Sequence, residues 1–157
     1  MIIYMKIIQK VYQMFILGTK GDNLVNALGK GLGGVIFFKD DIHSKDDFKN
    51  LIKNLSCHAK IMPFFSIDQE GGRVERTENI HNGKKYLSAK FAYEKGLNFL
   101  TEQTNNISQE LISYGINLNF APCVDVNTNP DNPIIGERAF SSLPHEVING
   151  ADIVIKT

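Results

Sequence analysis

Three short apolar runs, residues 33–38 (GGVIFF), 61–68 (IMPFFSID) and 117–126 (NLNFAPCVDV), are separated by stretches whose apolar residues recur at helical spacing. Such alternation is the mark of a parallel sheet, because parallel neighbours need a long crossover and a helix is the usual one. The chain is therefore read as α/β. Residues 33–38 follow a glycine-rich turn and carry no polar residue, as expected of a strand covered on both faces.

Between the runs, the helices are signalled locally. Ser44 stands three residues before Asp47 in the spacing of a capping box, and Phe48, Leu51, Ile52 and Leu55 then share one helical face. Residues 89–114 carry Leu97, Leu100, Ile107, Leu111 and Tyr114 at spacings of three, four and seven, which predicts one long helix closed by Gly115. A first strand is expected at 13–18, a helical turn at 23–28 and a last helix from His145 onward.

Alternation within the strands divides their faces. In 61–68 it puts Phe64, Ser66 and Asp68 on one side, with Ile61, Pro63, Phe65 and Ile67 on the other. In 117–126 it separates Leu118, Phe120, Pro122, Val124 and Val126 from Asn117, Asn119, Ala121, Cys123 and Asp125. The apolar set is expected to meet the helices, and the smaller, more polar set to point into a barrel.

Composition narrows the partners. A chain of 157 residues with 43% apolar side chains can bury a core. Lysine plus arginine equals aspartate plus glutamate at 17 each, scattered through the chain, so no basic footprint for nucleic acid or an anionic membrane is present. Uncharged partners such as sugars fit better. No apolar run approaches the roughly 20 residues of a membrane span. Lys6 and Lys10 interrupt the apolar opening, and no small-residue cleavage site follows, so a cytoplasmic location is expected. Cys57 and Cys123 form no C-x-x-C pair and are read as reduced thiols. His43, His58, His81 and His145 have no second partner at useful spacing and are read as surface residues.

Strands alternating with helices could begin a doubly wound sheet or a (β/α)8 barrel. No G-x-G-x-x-G follows a strand, which removes the usual support for the dinucleotide-binding form. A barrel needs about 250 residues, so this chain would supply the N-terminal half of one.

The segment SIDQEGGRVER, residues 66–76, gathers the most chemistry. A strand end delivers Asp68 and Glu70, two glycines allow a tight course, and Arg73 and Arg76 return positive charge to the same loop. Ligands of α/β folds sit beyond the carboxyl ends of the strands. A carboxylate there can accept paired hydrogen bonds from neighbouring hydroxyls, and arginine offers a rigid donor fork. A structural ion-pair network at the rim accounts for the same residues.

SIDQEGGRVER resembles the IDQEGGRVxR signature of glycoside hydrolase family 3, β-N-acetylhexosaminidase type. GGVIFFKDD resembles the strand and loop preceding it, and INLNFAPCVDVNTNPDNPIIGERAF is similar to the family's INxNFAPVxDVxxNPxNPxIGxRSF stretch. Order and spacing agree over residues 13–154.

The resemblance implies a partial family 3 N-terminal domain over residues 1–157, the N-terminal half of a TIM barrel, in an enzyme that releases terminal β-linked N-acetylglucosamine. It assigns Asp68, Arg76 and Arg138 to sugar binding, Glu70 and Arg73 to shaping the loop, and Asp125 to a structural anchor on the inward face. It implies no metal or organic cofactor. Two departures are Ala139 in place of the common serine after IGxR, and Cys123 where an aliphatic residue is usual.

The family's Lys-His motif, its Asp-His acid/base loop and its nucleophilic aspartate match positions beyond residue 157, and retaining hydrolysis needs both a nucleophile and an acid/base. Asp68 and Glu70, one residue apart beside two arginines, make a poor substitute pair. The 157-residue polypeptide by itself is therefore expected to show no turnover. An uncovered strand edge is expected to favour self-association.

Overall fold

A computed structural model of the chain describes residues 6–80 and 85–157, so His81 lies outside the described residues. Four parallel strands, β1 (Ile16–Gly18), β2 (Gly34–Phe37), β3 (Phe64–Ile67) and β4 (Leu118–Asn119), lie side by side in sequence order. Helices α2 (Leu24–Gly29), α3 (Lys45–His58) and α5 (Leu97–Tyr114) provide the crossovers, preceded by α1 (Ile7–Gln13) and joined by α4 (Ala89–Glu94) and α6 (Pro144–Lys156). This is the α/β order expected of the first half of a (β/α)8 barrel.

Register decides which side chains meet the helices. Val35 pairs with Phe65, Phe37 with Ile67 and Ile67 with Asn119, and paired residues in parallel strands share a face. Val35, Phe37, Phe65 and Ile67 are all buried, and they pack with Leu28, Phe48, Ile52, Leu55, Ile107 and Leu111 of the covering helices. Phe37 meets Phe48 edge to face at 5.2 Å, the preferred geometry for two aromatic quadrupoles. A second cluster joins Ala92, Leu100, Phe140, Val147 and Ala151, which locks the loop before α6 onto α4 and α5. The opposite face of the sheet carries Ile16, Phe64, Ser66 and Leu118, with Phe64 56% exposed.

Helix α3 begins as its sequence requires: the Ser44 hydroxyl accepts from the Asp47 N–H at 3.1 Å and donates to the Asp47 carboxylate at 2.6 Å. Gly115 ends α5 in the left-handed region at φ 97°.

Four expectations are corrected. Gln13 lies in α1, and the first strand starts only at Ile16, because the Gln13 side chain turns to donate to the Gly31 carbonyl at 2.6 Å. The single helix over 89–114 is two helices, broken at Gly96, whose φ of 106° no helix interior adopts. Only residues 118 and 119 of 117–126 form strand ladder, and the chain then turns through a cis Ala121–Pro122 bond. Within β4 the faces are also reversed: Asn119 lines a space beside Leu100, Thr104 and Ile107 of α5 while Leu118 shares the open face with Ser66, whereas farther along Pro122 lines the same space as Asn119 and Val126 packs on the helices as expected.

A half-buried polar cluster supports the helical layer. Glu110 accepts from the Tyr86 and Tyr114 hydroxyls, both at 2.7 Å. Burial first, and the Glu110 carboxylate second, hold both phenols protonated above the ordinary tyrosine range. A raised folded-state pKa contributes stability that is complete below the unfolded value of about 10 and is lost as pH climbs above it. The thermal midpoint is therefore expected to hold from about pH 7 to 9 and to fall above about pH 10, less steeply in Tyr86→Phe. A wild-type midpoint that stays flat through that alkaline range would contradict the assignment.

Candidate functional site

Asp68 follows the last residue of β3, at the carboxyl end of the sheet where α/β folds place their ligands. The chain then folds back on itself. Glu70 and Gly71 N–H groups both donate to the Val74 carbonyl, at 2.9 and 3.2 Å, and Gly71 and Gly72 adopt φ of 95° and 60°. Gly71 is required here for a second reason. A Cβ on it would stand 2.3 Å from the Leu87 carbonyl oxygen.

This hairpin returns Arg76 to Asp68. The Arg76 Nη2 lies 3.4 Å from Asp68 Oδ2, and both side chains keep about a quarter of their surface, 26% and 27%. The guanidinium also sits over the Phe38 ring at 5.9 Å, within reach of a cation–π contact. A contact of 3.4 Å is long for a charge-assisted bond, whose usual range is about 2.7–2.9 Å, so the pair is only loosely engaged.

Glu70 engages a different arginine. Arg138, in the turn before α6, donates from Nε and Nη2 to the two Glu70 carboxylate oxygens at 2.9 and 2.7 Å, a two-point fork. Its Nη1 donates to the Ile134 carbonyl at 3.2 Å, leaving two of the five guanidinium N–H groups for another acceptor. The Glu70 side chain is 7% exposed, and its hydrogen bonds hold Arg138 protonated even further above its already high ordinary range. Arg73 donates to the same Ile134 carbonyl, so two arginines tie residues 66–76 to the 134–138 turn. Glu70 and Arg73 thus span two loops.

Asp125 departs from the inward anchor role. It is exposed, and its carboxylate accepts from the Cys123 thiol at 3.5 Å. Burial pushes that thiol pKa up, against the Asp125 backbone hydrogen bond and the positive charge of Arg138. Ala139 is 1% exposed in the packed turn beside α4. His43, His58 and His145 are exposed. Among the described residues, no group of three or more His, Cys, Asp or Glu is placed to hold a metal ion.

The structure therefore brings Asp68 to Arg76 and Glu70 to Arg138, two pairs separated along the chain by Gln69 alone. Residues 6–157 match the Glycosyl hydrolase family 3 N terminal domain. The chain belongs to glycoside hydrolase family 3. A β-hexosaminidase A of Pseudoalteromonas piscicida is 39% identical over 121 residues, which cover 72% of this chain and 20% of that protein. The β-hexosaminidase LpqI of Mycobacterium tuberculosis is 33% identical over 141 residues, covering 88% and 36%. A family 3 β-N-acetylglucosaminidase structure from a Paenibacillus species superposes with a TM-score of 0.87 at 29% identity, over 98% of this chain and 31% of the other. The family 3 chain thus spans well under half the length of these three relatives.

Several buried or half-buried carboxamides around the site carry no signal of a partner in the sequence pattern. Gln69 is 1% exposed, and its Oε1 accepts from the Arg76 and Thr77 N–H groups at 2.8 and 3.3 Å. Gln103 of α5 grips both backbone groups of Leu87, at 2.8 and 2.9 Å. Asn119 does the same to Gln69, and Asn117 bridges the Phe65 N–H and the Pro63 carbonyl. Their spacing of two beside a strand signature was the available signal, but it gives no partner.

Proposed function

We propose that this chain forms the sugar-holding part of a retaining β-N-acetylglucosaminidase. The observation that carries the reading is the pair of half-engaged ionic groups beyond β3: Asp68 loosely held by Arg76 at 3.4 Å, and Arg138 oriented by Glu70 with two donors to spare. Asp68 accepts from neighbouring sugar hydroxyls, while Arg76 and Arg138 donate to ring substituent oxygens. A neutral sugar satisfies both signs of charge at once through hydrogen bonds, as an ionic ligand of either sign would not. The relatives, a β-hexosaminidase and a β-N-acetylglucosaminidase, support the same substrate class.

Cleavage follows double displacement through a covalent glycosyl-enzyme, which needs a nucleophile and an acid/base on opposite sides of the glycosidic bond. No residue of this chain is assigned either role. The physiological substrate on this reading is a peptidoglycan-type fragment, recycled in the cytoplasm, and no metal or organic cofactor takes part. Association of copies belongs to the same proposal, supported by the exposed apolar side chains of Phe64 and Phe120, 56% and 45% exposed.

In the whole protein, p-nitrophenol release from the aryl β-N-acetylglucosaminide is expected. Asp68→Ala should lower kcat/KM about 100-fold, since it removes two charge-assisted hydrogen bonds of roughly 1.5 kcal/mol each. Preferential hydrolysis of the aryl β-glucoside, or of neither glycoside by folded protein, would overturn the assignment.

A further inference from the structure

Gln69 stands between the two ionic pairs, and its backbone is held from outside the loop. The Gln69 N–H donates to Asn119 Oδ1 at 2.9 Å, and Asn119 Nδ2 donates to the Gln69 carbonyl at 3.0 Å. One carboxamide thereby satisfies both backbone groups of a residue 50 positions away, imitating the next rung of the β3–β4 ladder where β4 has already ended. From Gln69 the constraint spreads in three directions. Asp68 precedes it and Glu70 follows it, while its own Oε1 accepts from the Arg76 and Thr77 N–H groups.

We propose that Asn119 is a positioning residue, which acts through Gln69 to fix the separation of Asp68, Glu70 and Arg76 for the sugar; the sugar consequence rests on the function proposed above. The molecule contains its own control. Asn117, two residues earlier, makes a comparable two-point contact that bridges two residues at the start of β3, accepting from the Phe65 N–H at 2.7 Å and donating to the Pro63 carbonyl at 3.1 Å. That clamp lies at the opposite end of β3 from Asp68. A purely structural role would make the two asparagines equivalent, whereas positioning makes only Asn119 matter for the ligand.

The test compares Asn119→Ala with Asn117→Ala in the full chain, using N-acetylglucosamine as probe. Asn119→Ala should raise its Kd about tenfold, or about 1.4 kcal/mol, and Asn117→Ala less than about twofold at a similar loss of thermal midpoint. The near-isosteric Asn119→Asp, which keeps the acceptor and loses the donor, should also weaken binding if the alanine variant does not fold. Equal losses in the two alanine variants, or an unchanged Kd in Asn119→Ala, overturn the proposal. NMR relaxation of the Arg76 Nε–H reads the clamp without any sugar: its mobility should rise in Asn119→Ala alone. A wild type with no affinity for the sugar would indict the proposed function, whereas unchanged Arg76 mobility in Asn119→Ala would overturn the clamp itself.

Discussion

Gly71→Ala is expected to destabilise the fold by about 4 kcal/mol and to abolish sugar binding, because it combines backbone strain with a collision. The φ of 95° disfavours any side chain, and the added Cβ would lie 2.3 Å from the Leu87 carbonyl oxygen, far inside van der Waals contact. Relief requires one of the two backbones to move. Leu87 is poorly able to do so, since Gln103 holds its N–H and its carbonyl at 2.8 and 2.9 Å, and Gln103 is itself 8% exposed on α5. The hairpin must shift instead, taking with it Glu70 and the return path to Arg76. Urea titration and sugar binding measure the two effects. Retention of wild-type affinity, or a loss below about 1 kcal/mol, would mean that Leu87 yields and that the loop is softer than its hydrogen bonds imply.

Glu70→Leu should lower stability by about 3 kcal/mol, since removing one partner of a largely buried ion pair leaves the other charge without compensation. The Glu70 carboxylate is 7% exposed and binds Arg138 through both oxygens, so the apolar replacement would strand a guanidinium that is only 25% exposed. A loss of that size shifts the thermal midpoint by about 6–12 °C in a domain of this length. Glu70→Gln should lose less, because its amide oxygen still accepts one of the two bonds. The sugar affinity of both variants should fall, as Arg138 would no longer be aimed. Equal stability of Glu70→Leu and wild type would show that Arg138 finds water or another acceptor at no cost. The pair would then be an incidental contact at the rim.

These variants mark how much of the site can be read along the chain. Asp68, Glu70, Arg73 and Arg76 stand out because a strand end, two glycines and five charges fall within eleven residues. Their partners do not. Arg138 reaches Glu70 across 68 positions, and Asn119 reaches Gln69 across 50. No periodicity reports contacts of that separation. The same limit explains the reversed faces of β4. Alternation sorts the residues into two sets, but the side a set occupies depends on register, and Ile67 pairing with Asn119 turns Asn119 toward α5.

The break at Gly96 is a gentler case. The apolar spacing runs through residues 89–114 without interruption, and a glycine inside such a pattern is tolerated often enough that period alone cannot find the bend. Beyond the bend, α5 spans two clusters, with Leu100 beside Phe140 and α6 and with Ile107 and Leu111 on the sheet, whereas Ala92 of α4 joins only the first.

By itself the sequence determined the order of strands and helices, the cap at Ser44, the stop at Gly115 and the carboxylate that closes β3. Each of these follows from backbone geometry over a few neighbouring residues. Only the tertiary structure decided which arginine serves which carboxylate, which face of β4 meets the helices and which buried amides hold the loop in place. Those outcomes depend on distances between residues brought together by the packing of the whole sheet, where a shift of one position in register would exchange inside for outside.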